Sequence, residues 1–214
     1  MTSASDKPVF TIGHSTHPIE HFLELLRCHT VTAVADVRSL PYSRRVPQYN
    51  RELLRRVLEQ AGIKYVFLGR ELGGRTDDSQ CYEGGKIRYD RLASTAAFRS
   101  GLQRVRDGSE RFRLALMCAE RDPLDCHRAI LIAKHLTAEG LKINHIHGDG
   151  RLEEHGELIA RLIAMLKMSQ MDMFQSPEDV AENAYKQQEA RIAFNLDSAD
   201  DLPKRATGRP NAAA

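Results

Sequence analysis

The sequence predicts an α/β domain of three layers, a mostly parallel sheet with helices on both faces. Three observations carry that prediction. Short apolar runs alternate with segments of helical period from residue 8 to residue 166. The runs are near-continuously apolar, as strands buried on both faces are. The composition, 42% hydrophobic and 28% charged over 214 residues, is that of a chain able to bury one good-sized core. It excludes a disordered or fibrous chain.

Residues 1–7 read as a disordered leader. Val9 to Gly13 is the first strand, and Ile19, Phe22, Leu23 and Leu26 recur at the helical spacing after it. Val31, Ala33, Val34, Ala35 and Val37 mark a second strand. Two prolines and two arginines between Pro41 and Gln48 predict a loop. Asn50 is placed to cap a helix with an apolar face of Leu53, Leu54, Val57, Leu58 and Ala61, and Gly62 ends it. Lys64 to Leu68 gives a third strand.

Five glycines between residues 69 and 90 predict a long loop of the kind that often carries function. A helix is expected over Leu92 to Val105, a fourth strand over Phe112 to Met117 and a helix over Leu124 to Leu136. A short strand follows over Lys142 to Ile146, and Leu152 to Leu166 reads as a further helix. Residues 8–170 therefore form one domain, 171–196 a peripheral helical extension and 197–214 a flexible tail. Ser176-Pro177-Glu178-Asp179 is a helix start of cap, proline and acids, predicting a helix over 177–192.

No run approaches the roughly 20 apolar residues of a membrane span. The N-terminus lacks the pattern of a signal peptide. A cytoplasmic protein with no membrane partner is expected. In such a compartment Cys28, Cys81, Cys118 and Cys126 are expected as thiols rather than disulfides. The net charge is only +2. Residues 171–214 hold five basic and eight acidic groups, whereas residues 36–60 hold six arginines against three acids. An anion-facing surface in that second segment and an ordinary solvated helix face both fit.

Polar residues collect after the predicted strands, the edge at which α/β sheets bind ligands. His14, after the first strand, is a candidate for proton transfer or anion binding. Ser15 is a ligand contact or, more simply, a helix cap. Asp36 closes the second strand and can orient His14 or act as acid or base. Arg38 offers a fixed donor fork to a carboxylate or phosphate, unless the two form a structural ion pair. Arg44 is a further anion contact, or an ordinary solvated arginine.

The densest constellation runs from Cys118 through Glu120, Asp122, Cys126 and His127 to Arg128. It follows a buried strand and enters a helix, which Asp122 or Asp125 is placed to cap. At that helix start a cysteine is activated as a thiolate. Cys118 is then a candidate nucleophile, Glu120 a general acid or base, and Cys126, His127 and Arg128 substrate contacts. Cys118, Cys126, His127 and His14 also offer donors of kinds zinc accepts. Against that, the spacing is no standard zinc signature, and adjacent Cys126 and His127 diverge on an ideal helix. Buried inert cysteines are the plainer alternative. His147, after the fifth strand, is a last site candidate.

These fragments together resemble the family catalogued as domain of unknown function 488. The resemblance rests on Thr11 to Ser15, Asp36-Val37-Arg38, Leu68-Gly69 with Leu72-Gly73-Gly74, and Cys118 through Arg128, and covers about residues 9–150. It implies an α/β domain with a polar pocket at those motifs and supplies no reaction.

The leading expectation is a hydrolase or transferase acting on a phosphate-bearing or nucleic-acid-related substrate. The alternatives are a non-catalytic nucleotide or nucleic-acid binding module, or a metal-binding protein. Neither a dinucleotide fingerprint nor a phosphate-binding P-loop is present, so no cofactor is expected. No oligomeric state is signalled.

Overall fold

The computed structural model describes residues 7–168 and 176–196. Most of the expected leader, and the tail from Asp197 onward, lie outside the described residues.

Strand β1 (Val9–Gly13) is the pivot of a six-stranded sheet. Helix α1 (Ile19–Cys28) follows, then β2 (Ala33–Asp36), α2 (Arg51–Gln60) and β3 (Lys64–Phe67). The expected long loop over 69–90 instead contains a short helix, α3 (Gly69–Leu72), and a two-stranded hairpin of β4 (Tyr82–Glu83) and β5 (Lys86–Ile87). Glycine density concealed these elements because Gly84 and Gly85, both at positive φ, form the hairpin's turn.

Two helices, α4 (Tyr89–Ala93) and α5 (Ala96–Arg111), stand where one was expected. Thr95 caps the second by accepting from Phe98 N. Strand β6 (Leu114–Cys118) leads through a 3₁₀ turn at Pro123–Asp125 into a π-helical segment, Arg128–Ala133, continued by α6 (Lys134–Ala138). Then come β7 (Ile143–Ile146), β8 (Leu152–Glu154) and α7 (His155–Met165), and finally α8 (Pro177–Ile192). The helix expected over 177–192 coincides with α8, where Ser176 and Asp179 complete a capping box. Leu152, read as helical, lies in a strand instead.

The sheet order is β3-β2-β6-β1-β7-β8, parallel except for β8, which runs antiparallel beside β7. Gly13 lies opposite Cys118, and Asp36 opposite Met117, so the ends of β1, β2 and β6 share one edge. Phe10, Ile12, Val34 and Met117 pack with residues of α1 and α2 on one face. Val9, Ala35, Leu116 and Cys118 pack with α5, the π-helical segment and α7 on the other. The predicted three-layer, mostly parallel arrangement is thus the observed one. The chain leaves β1 and β2 toward one face and β6 toward the other, which opens a crevice where β6 meets its neighbours.

Candidate metal centre

The chain crosses that crevice in residues 119–127, and a glycine permits the crossing. A Cβ on Gly13 would stand 1.8 Å from Glu120 O, so only glycine lets the loop lie over the end of β1. His14 N and Ser15 N donate to Cys118 O and Ala119 O and lock the two strand ends together.

Within the loop, Asp122 Oδ1 accepts from Leu124 N at 2.8 Å and caps the 3₁₀ turn. Cys126 then adopts an extended backbone (φ −138°, ψ 138°), and His127 is the residue before the helical segment. The expectation that Cys126 and His127 both sit in a first helical turn is corrected at Cys126, whereas His127 (φ −58°, ψ −23°) begins the helical backbone. With an extended residue next to a helical one, the two side chains converge. His127 Nδ1 lies 3.8 Å from both Cys118 Sγ and Cys126 Sγ, and the three donor atoms lie within 4.8 Å of one another. Tetrahedral zinc with two sulfurs and one nitrogen needs sulfur–nitrogen separations of roughly 3.5 Å. His127 Nε2 donates to Val37 O at 3.1 Å, which leaves Nδ1 as the ring atom facing the sulfurs. That outer hydrogen bond is the usual support of a ligating histidine.

The charges around the trio favour a thiolate. Arg128 is fully buried, and among the described residues its guanidinium meets only the carbonyls of Glu120 and Arg121, with Nε unpartnered. A buried cation without a carboxylate partner calls for another anion nearby. Burial by itself would raise the Cys126 thiol, but the hydrogen bond from Cys118 and the charges of Arg128 and His127 hold it well below the usual thiol range. Burial raises Cys118 well above that range, with Cys126 adding to the effect. Burial and the Cys126 charge raise Glu120, whose Oε2 is 2.9 Å from Cys126 Sγ. Burial disfavours the charged form of His127, yet the Cys126 charge raises it overall. The shifts of the two thiols run in opposite directions and favour the thiolate form at Cys126 over Cys118.

Beside the trio opens a cleft of about 910 Å³. Cys118, Glu120 and His127 form its floor, and Arg38, Arg44, Arg45 and Arg75 line its walls. From the C-terminal side Ile192 and Phe194 join, with the Arg75 guanidinium 3.9 Å from the Phe194 ring centroid. Cys126 and Arg128 lie beneath the floor rather than on it. Phe194 and Arg75 were not among the sequence candidates. Backbone pairing of Ile87 N with Phe194 O, and of Leu196 N with Gly85 O, helps bring the C-terminal segment to the cleft.

A separate cluster occupies the opposite face of β2. Arg38 Nε and Nη2 reach the Asp36 carboxylate at 2.9 and 2.6 Å, and Tyr65 donates to the same carboxylate. Arg38 Nη1 is 3.2 Å from His14 Nε2, and His14 Nδ1 is 2.8 Å from Ser15 O. His14 stacks on Tyr49 with centroids 4.1 Å apart. Burial, aided by the Arg38 charge, lowers its pKa to about 4. His14 and Asp36 are therefore joined to Arg38 and are not part of the sulfur cluster.

Ser15 lies at φ 49° and caps no helix, since α1 begins after Pro18 without a side-chain cap. His147 pairs with Glu153 at 2.8 Å, away from the cleft lining. Cys28, at the end of α1, is exposed, whereas Cys81 in the glycine-rich segment is buried.

A family model described as Domain of unknown function DUF488 matches residues 18–134. This chain belongs to the DUF488 family. The match spans more than half of the 214 residues and includes the DUF488 domain's β2, its β6 and the whole loop from Cys118 to Arg128. It leaves outside β1 with His14 and everything from His135 onward. No curated protein and no solved structure matches the DUF488 chain. Among its described residues no helix is long and apolar enough to cross a membrane.

Proposed function

We propose that this DUF488 domain binds a divalent metal ion of the zinc class through Cys118, Cys126 and His127. The observation that carries the reading is the pair of 3.8 Å sulfur–nitrogen separations about His127 Nδ1, with the other ring nitrogen committed to Val37 O. Three protein ligands leave a fourth position, the arrangement of catalytic rather than structural zinc. Cys118 and His127 border the cleft, so a metal ion held by them would lie next to it. A metal ion there supplies Lewis acidity. Glu120, with Oε2 2.9 Å from Cys126 Sγ, is placed to hold or deliver a proton there.

Elemental analysis of the full chain after exhaustive dialysis tests the reading. About one equivalent of zinc per chain is expected, falling below about a tenth in Cys118→Ser and Cys126→Ser. Retention of metal by both variants would overturn it.

A second reading, a hydrolase or transferase acting on a phosphate-bearing substrate, draws on the arginines that share the cleft with Glu120. Turnover of a phosphate ester by zinc-loaded protein, abolished in Glu120→Gln with zinc retained, supports an enzyme. Binding without turnover assigns a binding module.

A further inference from the structure

We propose that the cleft takes a nucleotide, free or as one unit of a single strand, with its base against Leu40 and Tyr42 and its phosphate on Arg44, Arg45 and Arg75. The inference rests on the cleft beside the sulfur trio being the functional face, and it does not require the metal to be present.

The segment between β2 and α2 is built to hold its side chains outward. Pro41 and Pro47 restrict its backbone. Ser43 Oγ accepts from Arg45 N and Val46 N, and Asn50 Oδ1 accepts from Ser43 N at 2.7 Å. On this ordered loop Arg44 and Arg45 are exposed and have no ion-pair partner among the described residues. Some exposed arginines pair with carboxylates, as Arg55 does with Glu59, and others, such as Arg56, have no ion pair among the described residues; Arg44 and Arg45 differ from these in lining a cleft. Arginines left unpaired around a concavity suit an incoming anion, which their donor fork matches bidentately.

The same loop leaves two large apolar side chains in water. Leu40 is 53% and Tyr42 63% exposed, and both line the cleft. An anion alone gives no use for them. A ligand that joins a flat apolar face to a phosphate does, and a nucleobase presents that face to an aromatic ring. Asp125 stands among the cleft residues as well, offering an acceptor for the amino group of a base. A volume of about 910 Å³ accommodates a ligand of this size. Duplex nucleic acid fits less well, because its bases are stacked on one another and closed to Tyr42.

Fluorescence anisotropy with a labelled single-stranded oligothymidylate, and competition with AMP, inorganic phosphate and a duplex of equal length, tests the proposal on the full chain. Binding that AMP or the oligonucleotide shares, and that inorganic phosphate fails to displace at equal concentration, is expected. AMP competition identifies a free nucleotide, and its absence a strand. Tyr42→Ala should weaken binding about tenfold, the effect of one lost stacking partner. Arg44→Ala with Arg45→Ala should lower the salt dependence of binding to the strand by a slope of about 1.4. Arg56→Ala, on the exposed side of α2, should change nothing.

Three results overturn the proposal: no binding at low salt, equal binding of the duplex, or weakening by the arginine pair with none from Tyr42→Ala. A dimer that Tyr42→Ala dissociates without altering oligonucleotide binding overturns it too, by giving the exposed side chains to a second copy. Zinc measured on the same samples separates this inference from the metal reading. Nucleotide bound by a zinc-free chain sinks only the latter.

Discussion

Two of the polar histidine-containing clusters buried against the sheet are closed in opposite ways. Beyond β1, Thr11 Oγ1 lies 2.7 Å from His145 Nδ1, His145 Nε2 is 3.0 Å from His155 Nδ1, and His155 Nε2 is 2.8 Å from Tyr185 Oη. Each ring nitrogen in that chain has a partner, and burial holds His155 neutral with a pKa of about 4. At the end of β6, by contrast, Arg128 Nε lacks a partner, the buried Arg128 charge lowers the Cys126 thiol, and two sulfurs and a nitrogen converge on one point. A buried polar network completed from within ties elements together, here α8 to the sheet. One left incomplete at the edge of a cleft invites a ligand. The π-helical turn that begins at Arg128 accompanies the second kind, as such turns often do.

Four measurements break or sharpen this contrast. The largest effect is expected at the sulfur cluster, where His127→Phe should remove stoichiometric zinc while His155→Phe leaves zinc content unchanged. Next, Arg128→Met should cost about 3–5 kcal/mol in urea unfolding of the metal-free chain, because the Cys126 thiolate loses its buried counter-charge. A loss within about 0.5 kcal/mol would show that Arg128 only fills space.

The third concerns pH. The folded pKa of His155 is depressed from 6.5 to about 4, so the unfolded chain takes up the proton first as pH falls. Its contribution is fully present above pH 6.5 and declines toward pH 4, by about 3 kcal/mol in total. His155→Gln should flatten that part of the acid limb, leaving the similar loss due to His14. An unchanged limb would place the acid sensitivity elsewhere. The smallest effect is expected for Tyr185→Phe, about 1 kcal/mol for one hydrogen bond, with zinc unaffected.

Much of the fold was legible because each strand and helix carries its own burial pattern. The continuous apolar run of β6 and the Phe98, Leu102, Val105 spacing of α5 announce buried elements without reference to neighbours. The Cys118 to Arg128 stretch was legible as chemistry for a similar reason, since reactive residue types crowd one short segment after a strand. Its meaning was less accessible. Adjacent Cys126 and His127 diverge on a helix, and only the extended backbone at Cys126 turns both toward Cys118. Ser15 was readable as a cap, yet the lock between β1 and β6 places it at positive φ before α1 begins. The Thr11, His145, His155 and Tyr185 chain draws on four elements and leaves no pattern in any one of them.

The sequence by itself determined the alternation of strands and helices, the edge where polar residues gather and the family match over residues 18–134. Those properties reside in single segments, where side-chain period and backbone propensity act locally. The tertiary structure decided which strands are neighbours, and with that which polar groups meet. It set His14 and Asp36 around Arg38, set Cys118 beside Cys126 and His127, and brought Phe194 from the far C-terminal side to the cleft. The reason is physical. A donor 3.8 Å from two sulfurs is fixed by sheet order and by a glycine that lets one loop cross another strand's end, and neither is encoded within a single segment.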